Sequence, residues 1–289
     1  MKFITRSLSP QESRIVLTLA EQGRRDASRE EIIRILGASP KAADNVIEGL
    51  RRKGWLERAA WGKYLLVPPD QGPDALGDGN LLALASRIAN PYYIGFGTAA
   101  AHYGLTTQLR NVISLVTPAR VRGRHLGDAR VNIINQTPKK FFGFEPVDVL
   151  GHKVMMSDRE KTTLDCIDHP ELAGGIAEAA LIVANASRRF DWHKATEYLG
   201  RIGSSPLIHR FGWLVDHVKA EMPDETRAQL LQRSARSRKT WLGSDPTRAT
   251  VKGAIGLDET WRVFVNVAAE QLRESAGLGR RKVARRKPE

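Results

Sequence analysis

The chain has 289 residues, with 45 Lys and Arg against 32 Asp and Glu and a formal net charge of +13. That length accommodates two domains, and so basic a balance points to a polyanionic partner. No run reaches the ~20 apolar residues that span a bilayer, the start Met1-Lys2-Phe3-Ile4-Thr5-Arg6 lacks the apolar stretch of a signal peptide, and Cys166 is the single cysteine. These features exclude an internal disulfide and the usual zinc site, and a reducing cytoplasm is expected.

Three helices come first. Ser9-Pro10-Gln11-Glu12 supplies an N-cap, a proline at the first helical position and a glutamate that reaches back. The predicted helix runs from about Pro10 to Gln22, with Ile15, Val16 and Leu19 on one face. Gly23-Arg24-Arg25-Asp26 is a polar break. Ser28-Arg29-Glu30-Glu31 repeats the S-x-x-E start for a second helix carrying Ile32, Ile33, Ile35 and Leu36. Gly37-Ala38 makes a tight turn. Ser39-Pro40 opens a third helix, and Gly54 closes it. Ala43, Val46, Ile47 and Leu50 are spaced as a buried stripe, with Lys41, Asn45, Glu48 and Arg52 on the opposite face. Trp55-Leu56-Glu57 and Tyr64-Leu65-Leu66-Val67 read as two strands, joined by a loop from Arg58 to Lys63.

Two short helices across a tight turn, followed by a hairpin, predict a winged helix-turn-helix over residues 1–68. Such a unit presents its third helix to the major groove of double-stranded DNA. Lys41, Asn45 and Arg52 are the predicted groove contacts, and Ser39 with the free amides beside it suits a phosphate. Arg58 and Lys63 are the predicted wing contacts. Glu48 repels phosphates, yet a carboxylate accepts from a cytosine amino group, and it equally fits a position clear of DNA. Residues 1–70 carry 13 Lys and Arg against 9 Asp and Glu, which predicts modest affinity. The competing reading is a helical subdomain used for protein contacts.

Residues 69–80, rich in Pro and Gly, are predicted to be a linker. A larger mixed α+β domain follows over 81–276. It begins with a short helix, Leu81 to Ala89, an extended Pro91 to Phe96, and a helix from Thr98 to Tyr103. Strands are predicted at Val112–Thr117, Val131–Asn135, Phe141–Val149 and His152–Met156, with a basic loop from Arg120 to His125. Ser157-Asp158-Arg159-Glu160 is another S-x-x-E start, in which Ser157 and Glu160 are expected to cap each other. Helices are then expected at about Ile176–Ala186, Trp192–Ile202, Pro206–Lys219 and Glu225–Ala235. A final strand over Trp261–Asn266 and a short closing helix end the domain. Strands gathered centrally with helices mostly after them make the fold class α+β. Residues 277–289 form a basic tail, and its run from Arg280 to Lys287 is expected to add salt-dependent affinity without sequence choice.

With those segments in place, the chain resembles the AbiEi-type antitoxins of type IV toxin–antitoxin systems. Arg52-Lys53-Gly54-Trp55-Leu56 with Gly62-Lys63-Tyr64 carries the likeness in the first domain. In the second it rests on Tyr92-Tyr93-Ile94-Gly95, Thr98-Ala99, His102-Tyr103-Gly104-Leu105-Thr106, Asp158-Arg159-Glu160-Lys161-Thr162 with Asp165, Pro170-Glu171 and Gly174-Gly175. Trp241-Leu242, Asp245-Pro246 and Trp261-Arg262-Val263 with Asn266 complete it. The basic tail departs from the family pattern. The resemblance implies an antitoxin that neutralises a nucleotidyltransferase-like toxin, by direct or indirect contact, in an abortive-infection (phage defence) system. It also implies that the winged helix acts as a repressor of the protein's own operon.

Asp158, Glu160, Lys161 and Asp165 are a candidate toxin-facing or functional surface. Acids near a helix start also have a structural reading, since they complement the positive helix end. No carboxylate pair with metal spacing, no phosphate loop and no histidine ligand pattern is present in the sequence, so no enzyme activity, cofactor or metal is expected. Arg233, Arg236, Arg238 and Lys239 read equally as a solvated helix face or as nucleic-acid contacts. Tyr92, Tyr93 and Trp213 read as core. Two other functions are weighed: a ligand-responsive winged-helix transcriptional regulator without a toxin partner, and a metal-dependent nucleic-acid enzyme using Glu160 or Asp165.

Overall fold

In the computed structural model, Ser9, Ser28 and Ser39 stand at the starts of the first three helices. Ser9 with Glu12 and Ser28 with Glu31 form reciprocal capping boxes, and Ser39 caps its helix through the Ala42 amide. The structure describes residues 7–24, 26–60, 62–67, 78–108, 112–121, 124–126, 129–149, 152–243, 256–267 and 272. The predicted basic tail, most of the predicted linker and most of the predicted closing helix lie outside these residues. The chain falls into two compact units. One comprises Met1–Pro91, Val121–Val131 and Val147–Val154; the other comprises Tyr92–Arg120, Asn132–Pro146 and Met155–Glu289.

The first unit begins with α1 (Pro10–Glu21), β1 (Asp26–Ser28), α2 (Arg29–Leu36), α3 (Pro40–Arg52), β2 (Leu56–Ala60) and β3 (Lys63–Leu66). The three strands form an antiparallel sheet in the order β1-β3-β2. The polar break expected before α2 contains β1, whose Asp26, Ala27 and Ser28 pair with Leu65, Tyr64 and Lys63. Three residues are too few to show an alternating pattern. Ile15, Val16, Leu19, Ile32, Leu36, Ala43, Ile47 and Leu50 meet Trp55, Leu56, Tyr64 and Leu66 in one core. Next, α4 (Asp78–Ala85) begins inside the segment predicted as linker.

A buried acid ties the ends of α1 and α3 together. Glu12 is 5% exposed. It accepts from the Ser9 amide at 2.6 Å and from Lys53 Nζ at 2.6 Å. A Cβ on Gly49 would lie 2.7 Å from its Oε1, so a side chain there would push the Glu12 carboxylate out of its present position. Burial pushes the Glu12 carboxyl up, but the bonds from Lys53 and Ser9 outweigh it and hold the group below its ordinary 4.5. A carboxyl whose folded value is depressed stabilises the fold above its unfolded value, and that contribution disappears as pH falls through the folded value. The first unit should therefore lose stability as pH drops below about 4.5. Glu12→Gln should flatten that part of the curve and lower stability at neutral pH. Thermal unfolding across the acid range checks this, and a curve unchanged by the substitution would refute it.

The remaining strands are β4 (Tyr93–Ile94), β5 (Val112–Thr117), β6 (Arg124–Leu126), β7 (Ala129–Asn135), β8 (Phe144–Val149) and β9 (His152–Ser157). They form a sheet in the order β6-β7-β5-β4-β9-β8. The two-residue β4 was expected only as an extended lead-in. It pairs antiparallel with β5 on one side and parallel with β9 on the other, which holds Tyr93 and Ile94 wholly buried. The predicted basic loop contains β6, paired with the start of β7.

The helices of the second unit are α5 (Phe96–His102), α6 (Arg159–Asp168), α7 (Ile176–Ala186), α8 (Trp192–Ile202), α9 (Ser205–His217) and α10 (Asp224–Ser234). Gly203, with φ of 67°, closes α8 in the left-handed conformation that glycine adopts without strain. A small sheet follows, made of β10 (Thr240–Trp241), β11 (Gly256–Asp258) and β12 (Val263–Val265) in the order β10-β12-β11. Residues 261 and 262, predicted as strand, form the turn before β12. Leu164, Ile167, Ala179, Val183, Phe211 and Trp261 are among the residues of the helical core. Fold class is mixed α+β.

Candidate nucleic-acid interface

The turn between α2 and α3 is set by Gly37, whose φ of 62° ends α2 with an αL cap. Ser39 then starts α3, its hydroxyl exposed and accepting from the Ala42 amide at 3.4 Å. Ala43, Ile47 and Leu50 bury one face of α3, as their spacing requires. The other face is open: Lys41, Asn45 and Arg52 are exposed. Among the described residues none of the three has an ion-pair or hydrogen-bonding partner.

The two acids of α3 are engaged within the unit. Arg29 Nε and Nη2 each donate to Asp44 at 2.7 Å, a bidentate pair. Those bonds hold the Asp44 carboxyl below its usual range. Glu48 accepts from Arg51 Nη1 at 2.7 Å. Glu48 is thus turned along its own helix, and the sequence did not reveal this partner.

The hairpin is anchored beside α2, because the Arg29 amide donates to the Gly62 carbonyl at 2.7 Å. Lys63 is exposed at the start of β3. Arg58 is exposed too, but it lies within β2, opposite Tyr64, and not in the connecting loop as expected. The strand runs on because the register shifts between Arg58 and Ala60, which leaves a shorter connection. A cleft of about 260 Å³ lies along β1, lined by Arg24, Asp26, Glu31, Lys63, Tyr64 and Arg87 among others. Its arginines are taken up by Glu31 at 2.9 Å and Asp26 at 3.2 Å, so its charge is mixed.

Asp158, Glu160, Lys161 and Asp165 do not form a surface. They are 7%, 5%, 0% and 3% exposed, and they build an interior network of the second unit. Asp158, and not Ser157, caps α6 by accepting from the Lys161 amide at 2.8 Å. The Ser157 hydroxyl instead pairs with Thr162 at 2.7 Å. Glu160 accepts from the Asp191 amide at 3.1 Å, so it does not reach back to its own helix start. Lys194 Nζ lies 3.0 Å from Asp158 and 3.2 Å from Glu160. Burial pulls that ammonium down, but the two acids hold it above its usual range. Tyr198 donates to Asp158 at 2.7 Å, and α8 is thereby fastened to the start of α6.

Deeper still, Lys161 Nζ bonds Asp165 Oδ2 at 2.6 Å and Tyr93 Oη at 3.2 Å. Tyr93 also pairs with Gln136 at 3.1 Å and Asp165 at 3.2 Å. Burial raises the Asp165 carboxyl, partly opposed by Lys161. Tyr93 is core as expected, while Tyr92 and Trp213 are half-buried. Among the described residues no three His, Cys, Asp or Glu side chains converge to hold a metal ion. No helix of the described residues is long and apolar enough to cross a membrane.

No protein-family model and no curated protein matches this sequence. Among solved structures, the chain is similar to the crystal structure of the RV2827C protein from Mycobacterium tuberculosis. The TM-score is 0.67 at 19% sequence identity, and the match covers 95% of this chain and 97% of that one. At this identity the likeness is one of fold, and it extends across the whole α+β arrangement.

Proposed function

We propose that residues 1–68 are a winged helix-turn-helix that binds double-stranded DNA, and that the protein is an antitoxin repressing its own operon. The carrying observation is the open face of α3, with exposed Lys41, Asn45 and Arg52 and with both of its acids paired to arginines, Asp44 to Arg29 and Glu48 to Arg51. The element order α1-β1-α2-α3-β2-β3 supports the winged reading, since it brings the β2–β3 hairpin beside the helix pair. Arg58 and Lys63 supply the wing's cations. Ser39 offers a helix start to one phosphate. Asn45 is suited to an adenine edge, which takes a paired donor and acceptor.

The antitoxin part rests on the motifs of the second unit. Asp158, Glu160, Lys161 and Asp165 among them lie inside, so these four support its scaffold, and a toxin would be met by other residues, of which Glu171 is an exposed member of the same motifs. In this proposal the protein acts by binding, without catalysis of its own. The toxin has the nucleotidyltransferase-like character implied by the resemblance.

Lys41→Ala with Arg52→Ala tests the proposal. Gel shift on the operon's own promoter should show binding lost at physiological salt. Residual binding at low salt should have a log K–log salt slope smaller by about 2, one unit per phosphate contact removed. Neutralisation of the neighbouring toxin in co-expression should persist. Unchanged operator affinity in the double variant would overturn the DNA-binding assignment. A neighbouring gene with no effect on growth would overturn the antitoxin assignment alone.

A further inference from the structure

The small sheet of β10, β12 and β11 turns one face inward and the other outward. Thr240, Leu242 and Val263 are buried, and Val265 packs on the same core. The alternate residues stand in register: Trp241 is opposite Phe264, and Phe264 is opposite Leu257. Successive side chains of a strand point to opposite faces, so these three form one apolar row across the outer side. The Trp241 and Phe264 rings stack, with centroids 4.7 Å apart and planes at 30°. Both are half-buried, and Leu257 is 36% exposed. Trp241 lies on an edge strand, and among the described residues no further strand of this sheet pairs with its open side.

One cation borders the row, and two more lie just before β10 in the chain. Lys239 Nζ lies 5.9 Å from the Phe264 ring centre and pairs with Glu259 at 3.1 Å. Arg236 and Arg238 are exposed, with no ion-pair partner among the described residues. Of the nearby acids, Asp258 is engaged by the Trp261 amide at 2.7 Å. The guanidinium of Arg210 donates to the Trp241 carbonyl at 2.9 Å, which fixes the strand that carries the indole.

The geometry points to a binding site for single-stranded nucleic acid on this face. An unpaired base extends the Trp241–Phe264 stack at the sheet edge, and its backbone phosphates lie along Arg236, Arg238 and Lys239. Stacked aromatics beside a line of cations recognise single strands without regard to sequence, because every base has a π-face. In a duplex those faces are hidden, and the row would stay uncovered. An acidic protein segment would satisfy the cations without using the rings. This site shares no residue with the duplex-binding face proposed on α3.

Fluorescence anisotropy of the full chain with a short labelled oligouridylate tests it, in the Lys41→Ala, Arg52→Ala background as well as the parent. The parent and the double variant should bind equally. Trp241→Ala should weaken binding about tenfold, and Trp241→Phe should restore most of it. Arg238→Glu with Lys239→Glu should weaken binding and reduce its salt dependence. Phe264→Leu, which removes a ring and keeps an apolar side chain, serves where Trp241→Ala does not fold. Parent-like affinity in folded Trp241→Ala or Phe264→Leu would overturn the proposal. So would loss in the charge variant alone, which marks a plain ionic contact of the kind an acidic protein makes.

Discussion

Replacing Asp165 by alanine should cost the second unit about 3–5 kcal/mol, the usual penalty for stranding one member of a buried ion pair. Lys161 is wholly buried, and among the described residues its ammonium would keep only the Tyr93 hydroxyl at 3.2 Å as a hydrogen-bonding partner, beside the Tyr93 and Phe142 rings. A loss of that size corresponds to a fall in Tm of roughly 6–20 °C for a domain of this size. Lys161→Met combined with Asp165→Leu should cost much less than the sum of the single changes, because no uncompensated charge remains. Thermal unfolding of Asp165→Ala, of Lys161→Met and Asp165→Leu singly, and of their double variant measures this. A neutral Asp165→Ala, or a double variant as damaged as the sum, would show that the pair does not hold the interior together.

Gly212→Ala should destabilise the protein by about 3 kcal/mol, the upper part of the range for overpacking a core. In an exposed helix the same change stabilises by about 1 kcal/mol, so even the sign is informative. Gly212 sits in α9 beneath Trp261, and an added Cβ would fall 2.2–2.4 Å from the indole ring. The ring cannot easily yield. It is 0% exposed, its Nε1 donates to Asp216 at 2.7 Å, and Arg227 lies 5.3 Å from its centre. Asp216 in turn is held by Arg227 at 2.7 Å. Trp261→Leu in the Gly212→Ala background should recover part of the loss. A raised Tm in Gly212→Ala would mean that α9 can move away from the turn before β12.

The two predictions mark where the sequence could be read and where it could not. The first three helix starts were legible, because Ser9, Ser28 and Ser39 act on amides three residues away, whereas at α6 the cap is Asp158 and not the expected Ser157. The buried stripe of α3 was legible for the same reason, since its period is local. Of the strands of two or three residues, β12 was legible, but β1, β4, β6, β10 and β11 were not. They exist through partners supplied from elsewhere in the chain, and no local alternation encodes that. Charged residues are rarely interior, so Asp158, Glu160, Lys161 and Asp165 read as a surface. Their satisfaction depends on Tyr93, Tyr198 and Lys194, tens of residues distant. On the candidate interface, the exposed members Lys41, Asn45 and Arg52 were predicted, but the partners of Asp44 and Glu48 were not.

The internal pairing of Asp44 and Glu48 has one more effect. A polyanion approaching α3 has no counter-charge to strip from Lys41 or Arg52, and the exposed carboxylates of Asp44 and Glu48 are each offset by an arginine. In the proposed complex the neutral amide of Asn45 is suited to an adenine edge, while Lys41 and Arg52 meet phosphates or guanine edges. Exchanging Asn45 is the simplest way to retune what the helix selects while leaving its grip intact.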